Sequence, residues 1–227
     1  MKNIIIISFL WLGTTFAQNF FVENVKGVVK AQIGSSEKWV DLKDGAELSP
    51  YSTVYTGKNS SVVITKENTK LTLRELSAVT ISHIKLMSVD ELLLALAMED
   101  MFSAPRKKND NKSKSTQVYG DNSKSETNLF VKNDEFGLMR LNGAKHLAES
   151  GFKESAIVAA KETYRKYPDT KKLISFRIYF ANLLYEKGLF EEAFADFNSF
   201  KDFEMNEQEK LEVDSKIKLL TTKLIRK

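Results

Sequence analysis

The region between Trp39 and Ile81 alternates short apolar runs with polar turn residues. Runs rich in Val, Ile, Leu and Thr are separated by the pairs Asp-Gly at 44–45 and Thr-Gly at 56–57. Short β-branched runs bounded by turn residues are typical of strands that are joined by tight turns. The pattern therefore predicts a small antiparallel β module.

The apolar spacing changes to that of a helix at Ser88. Ser88 is followed three residues later by Glu91, the pattern of a capping box that begins a helix. The helix predicted over Val89 to Phe102 is apolar around most of its circumference, through Val89, Leu92, Leu93, Leu94, Leu96, Met98, Met101 and Phe102. A helix of this kind is expected to be buried on more than one side. It would cap the β module or lie between two domains, or else form a self-association or partner surface.

The C-terminal half repeats itself at an offset of 37 residues. The offset superposes Ala144 on Ala181, Leu147 on Leu184, Gly151 on Gly188, Phe152 on Leu189 and Ala156 on Ala193. Repeats of this length indicate stacked supersecondary units. In each unit a helix, over 136–150 and then 173–187, is expected to end at a Gly and to be followed by a second helix.

The end of this repeat region also carries helical signals. Tyr167 and Pro168 close the first unit, since Pro cannot continue a helix. A last helix after Asn206 has one apolar stripe, formed by Val213, Ile217, Leu220 and Leu224. Because such arrays usually need three or more repeats, we expect another element to cover the open end near Phe136, and the helix over 89–102 is the candidate. The fold class is therefore predicted to be α+β, a β module followed by a helical array.

The first 17 residues have the order of a secretory signal peptide. A charged Lys2 precedes an apolar stretch from Ile4 to Phe16, and cleavage is expected after Ala17. A membrane anchor is the alternative, but this stretch is shorter than the ~20 residues that a spanning helix needs. The chain has no Cys, so it has no disulfide framework. The mature protein is expected to be exported, into the periplasm, without stable membrane insertion.

The positive charge of the chain is concentrated in one segment. Six basic and two acidic residues between Arg106 and Lys124 give a net charge of +4, which equals that of the whole chain. This segment has few apolar side chains, which predicts a flexible linker over 103–128. The expected domains are thus 1–17, 18–102, 103–128 and 129–227. A nucleic-acid partner is not expected, because the cations do not belong to a folded face.

The residues needed for common catalytic and metal sites are missing. The chain has only two His residues, His83 at a predicted strand end and His146 on a predicted helix. Both are interpreted as surface or half-buried side chains. The spacing of His, Asp and Glu matches neither a zinc nor a calcium site, and no Gly-rich phosphate loop is present. We therefore predict no cofactor, no metal and no enzymatic activity, and expect function to come from binding.

Residues 25 to 85 resemble the FecR-like domain of bacterial envelope proteins. The residues that carry the resemblance are Trp39, Gly45 with Leu48, Thr56 and Gly57 with Ser60, Leu71 with Leu73, and Ser77 before Val79 and Ile81. The resemblance implies a non-enzymatic sensing or binding domain outside the cytoplasm.

Residues 137 to 204 resemble tetratricopeptide repeats, including those of periplasmic envelope-assembly proteins. Small residues on the first helix, a Gly at each turn, Ala on the second helix and Pro168 carry the resemblance. The segment departs from the repeat pattern in two ways: it has three extra residues between the units, and its second unit lacks a Pro. The resemblance implies a peptide-binding groove on the first helix of each repeat, with partner-binding positions at Lys145, Arg177, Asn182 and Tyr185.

Two binding functions follow from these patterns. The first is an exported adaptor that joins the β module to peptide-binding repeats and takes a protein or peptide partner in the cell envelope. The second is cell-wall glycan or envelope-ligand binding by the β module, with the helices as an oligomerisation platform and a second copy of the chain as a partner. Exposed Trp39, Tyr51 and Tyr55 would indicate the glycan site, whereas a Trp39 buried in the β core would favour the adaptor.

Overall fold

The structure, a computed structural model, describes residues 19–34, 36, 38–104, 133–201 and 203–225. The predicted signal peptide, and the predicted linker apart from its first two residues, lie outside this part. The strands are β1 (Phe20–Lys26), β2 (Val29–Gln32), β3 (Trp39–Asp41), β4 (Glu47–Leu48), β5 (Thr53–Thr56), β6 (Ser61–Lys66), β7 (Thr69–Leu73) and β8 (Ser77–Thr80). The helices are α1 (Val89–Ser103), α2 (Asn133–Glu149), α3 (Lys153–Lys166), α4 (Ile174–Glu186), α5 (Phe190–Asn198) and α6 (Glu207–Ile225).

The strands form two antiparallel sheets of four strands each, in the orders β4-β1-β6-β7 and β3-β2-β5-β8. Alternate residues of the two sheets are buried together, among them Val22 and Ile64 from one sheet and Val54 and Val79 from the other. The α+β class is therefore confirmed. Strands β1 and β2 were not predicted. The sequence predicts a strand from Val79 to Leu86, but β8 ends at Thr80, because Ile81–His83 form a short 3₁₀ turn.

Helix α1 begins as the capping box predicts. The Ser88 hydroxyl accepts a hydrogen bond from the Glu91 N–H at 3.2 Å, and the Glu91 carboxylate accepts one from the Ser88 N–H at 2.7 Å. Burial on more than one side is not observed: Leu92 and Leu96 are buried, while the opposite side of α1 is exposed. The helix packs on α3, where the Ser155 hydroxyl donates to the carbonyl of Lys85 at 2.8 Å.

The first helix of each repeat unit ends with the same backbone conformation. Gly151 and Gly188 have φ values of +94° and +79°, a left-handed conformation that Gly adopts at low steric cost. After these glycines, the N–H of Phe152 donates to the carbonyl of Leu147 at 2.9 Å, and the N–H of Leu189 donates to the carbonyl of Leu184 at 3.0 Å. The offset of 37 residues therefore reflects a repeated structure.

The second sheet lies between two packing partners. One face meets the first sheet, and the other face, which carries Tyr55 and Ala78, is packed against α2. An ideal Cβ added at Gly143 of α2 would lie 1.9 Å from the carbonyl oxygen of Ala78. The amide of Asn142 donates to the carbonyl of Leu76 at 2.8 Å beside this contact. The sheet, and not α1, therefore covers the open side of the helical array.

An aromatic row extends this contact to the start of α2. The Phe136 ring lies 5.8 Å from the Trp39 ring and 6.1 Å from the Tyr167 ring, edge to face in both cases. Aromatic pairs of this geometry stabilise a contact by ~0.5–1.5 kcal/mol beyond the area they bury. The expectation that α1 covers Phe136 is therefore wrong, because Trp39 of β3 does so.

A charged cluster centred on Glu162 also joins the sheets to the helices. Its carboxylate lies 3.2 Å from His83 Nε2 and 3.6 Å from Arg140 Nη2, and it pairs with Lys166 on its own helix. Burial would raise the pKa of Glu162, but the hydrogen bonds from His83 and Lys166 and the charge of Arg140 outweigh it and hold this pKa well below its usual range. The ionised carboxylate is thus part of the folded state.

Tryptic cleavage tests the contact between the two halves. The basic target residues between Arg106 and Lys124 predict early cleavage there. Because α2 and α3 contact β8 and the 3₁₀ turn, we expect the two fragments to remain together on size-exclusion chromatography and to separate after the same digest is transferred to urea. Separation in native buffer would contradict the interface.

Replacing Gly143 with Ala tests the close approach of α2 to β8. Ala raises helix propensity by about 1 kcal/mol over Gly, but its Cβ would overlap the carbonyl of Ala78. We expect the free energy of unfolding to fall by about 1–3 kcal/mol, measured by urea titration. The control is Ser175→Ala on the exposed surface of α4. Equal or greater stability of Gly143→Ala would contradict the packing.

Replacing Glu162 with Gln tests the charged cluster. A carboxyl whose pKa is lowered on folding stabilises above its unfolded pKa, about 4.3, and loses that contribution as the pH falls toward the folded value. We expect Glu162→Gln to lower the free energy of unfolding by about 1–3 kcal/mol at pH 7, and the difference to shrink between pH 5 and 3. Glu186→Gln, at an exposed pair with Lys153, should have little effect at any pH.

Candidate functional site

A polar cavity of about 220 Å³ lies where the end of α1 meets α3, α4 and α5. Four cationic and three anionic side chains line it, together with Tyr164 and Ser103. The charged ones are Lys161, Arg165, Lys171, Arg177, Glu99, Asp100 and Asp196. The net charge of the lining is therefore +1, which makes the cavity suited to a polar or anionic group.

Two side chains that line this cavity each contain a buried polar atom with no hydrogen-bond partner among the described residues. These atoms are the hydroxyl of Tyr164 and Nη1 of Arg177. Tyr164 is only 8 % exposed, and leaving a buried donor unsatisfied costs about 1–3 kcal/mol. Both atoms are inaccessible to solvent, so they are enclosed by the protein and do not line the open space of the cavity.

The Arg177 guanidinium is held in place by aromatic rings. Its central carbon lies 4.4 Å from the Phe200 ring centroid and 4.7 Å from that of Phe203, and Nη2 donates to the Ser199 hydroxyl at 2.7 Å. Burial lowers the pKa of Arg177, while Asp196 and Tyr164 act in the opposite direction. The side chain is thus fixed in position, with Nη1 enclosed and unsatisfied.

The remaining charges of the cavity are largely paired. Arg165 donates from Nε and Nη2 to both carboxylate oxygens of Glu99, at 2.7 and 3.3 Å, and Lys161 pairs with Asp196.

Burial raises the pKa of the Tyr164 phenol well above its usual range, with Arg177 opposing and Asp196 adding to the shift. Tyr164 is therefore a neutral hydrogen-bond donor at physiological pH.

The exposed side of α1 adds an apolar strip beside the cavity. We define the α1 strip as Leu94, Met98, Met101 and Phe102, which are 64, 47, 76 and 63 % exposed. The strip reaches the cavity at Phe102, whose ring lies 5.4 Å from the guanidinium carbon of Arg165. An apolar surface next to a polar cavity can bind a segment that carries both apolar and polar side chains.

The four positions predicted to bind a partner do not form one site. Lys145 lies over the Tyr179 ring at 5.7 Å. Asn182 donates to Glu212 of α6 at 2.9 Å, and the Tyr185 ring lies beneath two lysines of α6, Lys216 at 4.5 Å and Lys223 at 5.2 Å.

Arg177, the fourth of these positions, lines the cavity and stacks on Phe200 and Phe203. Helix α6 therefore occupies part of the surface that the repeat pattern assigns to a partner.

Tyr164 was not predicted to take part in the site, because its spacing from Ala156 and Ala160 is that of an ordinary core residue.

The aromatic residues considered for a glycan site are separated in the structure. Trp39 is half-buried against Tyr55, at 5.9 Å between ring centroids, and against Phe136. Only Tyr51 of the three is exposed, at 79 %. Trp39 thus lies neither in the β core nor beside Tyr51, because it packs between the second sheet and α2.

The two His residues make local contacts to carboxylates. His83 faces Glu162, and His146 Nδ1 lies 3.1 Å from Glu149. Within the described ranges, no group of three or more His, Cys, Asp or Glu residues is placed to hold a metal ion. In the same part of the chain, no helix is long and apolar enough to span a membrane.

Comparison with known proteins does not assign the chain to a family. No protein-family model matches it, and neither does any curated protein or solved structure.

Proposed function

We propose that this protein is an exported, periplasmic adaptor without enzymatic activity, which binds a segment of a protein partner in the cell envelope on its helical half. The observation that carries the proposal is the exposed α1 strip. Apolar side chains of this size on one helix face are typical of a protein-binding surface. Export is proposed from residues 1–17, whose pattern is that of a signal peptide.

The charge of α1 defines the chemistry of the partner. The exposed residues Asp90, Glu91 and Asp100 lie around the apolar strip, and α1 contains no Lys or Arg. A partner segment with apolar anchors and flanking Lys or Arg residues complements both features. Such complementary charge would accelerate association and orient the segment more than it would raise affinity.

Helix α3 supports this surface. Helix α1 follows the 3₁₀ turn after β8 and is held on α3 by the Arg165–Glu99 pair, and the Ser155–Lys85 hydrogen bond fixes the segment just before α1 to the same helix. The α1 strip is therefore presented on a packed base, which lowers the entropic cost of binding. In this proposal α3 positions the strip, and the sheets do not contact the partner.

Glycan binding by the β module remains the alternative. Trp39 and Tyr55 are engaged at the contact with α2, so Tyr51 would have to carry a stacking site with other residues. Binding of purified cell-wall glycan that is abolished by Tyr51→Ala would favour this alternative.

Site-specific photo-crosslinking in cells that make the protein tests the adaptor proposal. A photoreactive residue at Met98 should crosslink to one partner, and mass spectrometry should place the link in a segment with apolar and basic residues. The same residue at Leu211, which is 72 % exposed on α6, is the matched control and should not crosslink to that partner.

The double variant Leu94→Glu, Met101→Glu should lower the crosslinking yield from position 98 by about tenfold or more, because it places carboxylates on the strip. The control Leu211→Glu should leave this yield unchanged. Equal yields from positions 98 and 211 would contradict the proposal. Links to a second copy, with a dimer in analytical ultracentrifugation, would replace the adaptor by self-association through α1.

A further inference from the structure

The charges around the α1 strip all have the same sign. Asp90 and Glu91 lie at its start and Asp100 at its end, all three are exposed, and α1 contains no Lys or Arg. Apolar side chains flanked by carboxylates favour an occupant that carries apolar and cationic groups together.

The chain itself contains a segment of this composition. Residues 105–132, which lie outside the described part, include seven basic and three acidic residues, a net charge of +4. At the centre of this segment, Val118 and Tyr119 are flanked by Lys112 and Lys114 on one side and by Lys124 on the other. The segment therefore offers the combination of apolar and cationic side chains that the strip requires of a partner.

Both ends of this segment are attached beside the end of α3. Helix α1, which precedes the segment, places its Phe102 ring 5.4 Å from the guanidinium carbon of Arg165. Helix α2, which follows the segment, places its Phe136 ring 6.1 Å from the Tyr167 ring. Arg165 and Tyr167 are two residues apart at the end of α3. The segment thus leaves from the Phe102 end of the strip and has to return to the same end of α3.

The length of the segment allows it to reach the whole strip. Val118 follows Ala104 by 14 residues, which can extend over at most ~50 Å, whereas the 15 residues of α1 are only about 22 Å long. Because the segment is tethered at both ends, its effective concentration at the strip is on the order of 1 mM. A contact with a Kd of about 0.1 mM would then be formed in most molecules.

We infer that residues 105–132 bind the α1 strip of the same molecule when no partner is present. Val118 and Tyr119 contact the apolar side chains of the strip, and the flanking lysines lie near the carboxylates of α1. The inference rests on the proposed function, because the partner must displace this segment from the same strip. The apparent affinity for the partner is lowered in proportion to the fraction of molecules whose strip is free.

A second copy of the chain is a less suitable occupant through its own α1. Two α1 helices would bring their carboxylates together, and like charges that face each other across an interface oppose association. The lysines of residues 105–132 have the opposite sign, which favours this segment over a second α1.

Photo-crosslinking of the purified full chain tests the inference in the absence of a partner. A photoreactive residue at Met98 should form a link to the tryptic peptide 115–124 of the same molecule, located by mass spectrometry. The yield of this link should not change with protein concentration, and it should fall several-fold in high salt, which screens the charges. The same photoreactive residue at Leu211, 72 % exposed on α6, is the matched control and should not form this link.

The double variant Val118→Ser, Tyr119→Ser tests the apolar contacts. It should lower the yield of the intramolecular link from position 98 by about tenfold, since two side chains that the strip would bury are removed. The control Tyr51→Ser removes a Tyr that is 79 % exposed on the β module, and it should leave this yield unchanged. In cells, the double variant should raise the yield of the partner link several-fold, because the segment no longer competes.

Three results would overturn the inference. They are equal yields of the link from positions 98 and 211, an unchanged yield in the double variant, and a yield that rises with protein concentration, which would place the segment on a second copy. The adaptor proposal is judged separately, by links to another protein in cells. A segment link in the purified chain without a partner link in cells would reject only the adaptor, whereas a partner link without a segment link would reject only the intramolecular contact.

Discussion

The structure depends on the close approach of helix α2 to strand β8. Gly143 lies so near the carbonyl of Ala78 that no side chain fits between the two backbones. This approach is more than a local contact, because α2 also begins the helical repeat. The same helix packs on the second sheet with one side and on α3 with the other. The sheets and the repeats are thereby joined through the packing of one helix.

Several other features follow from this arrangement. With α2 on its outer face, the second sheet is covered on both sides, so Trp39 and Tyr55 become interface residues and are not available for a ligand. The short connection after β8 then carries α1 onto α3, where Glu162, His83 and Arg140 form the charged cluster beside it. The α1 strip and the cavity next to it remain exposed in this arrangement.

The cavity and the α1 strip combine two features that cost stability. Unpaired buried donors are unfavourable in the free protein, and large apolar side chains in water favour association. Tyr164 and Arg177 are held in their positions by core packing and by Phe200 and Phe203, so the donors cannot turn to solvent without disturbing the repeat. A partner that covers the strip would remove the second of these costs.

The sequence by itself determined the local elements, because their signals act over a few residues. The capping box of α1, the left-handed glycines at 151 and 188, and the turn pairs between strands were all predictable from neighbours along the chain. The α+β class was predicted because the spacing of the apolar residues changes from that of strands to that of helices. Strands β1 and β2 were missed, although the left-handed glycines 27 and 34 mark turns on both sides of β2.

Only the tertiary structure decided what each element faces. Met101 and Leu96 belong to the same apolar helix, yet one is 76 % exposed and the other is buried, because α3 covers one side alone. Arg177 was predicted as a groove residue and instead lines the cavity, since its side chain is held by rings that follow α5. Tyr164 carried no signal in the sequence, because an unpaired hydroxyl is a property of its surroundings. Long-range packing, which local patterns do not encode, therefore assembled the candidate site.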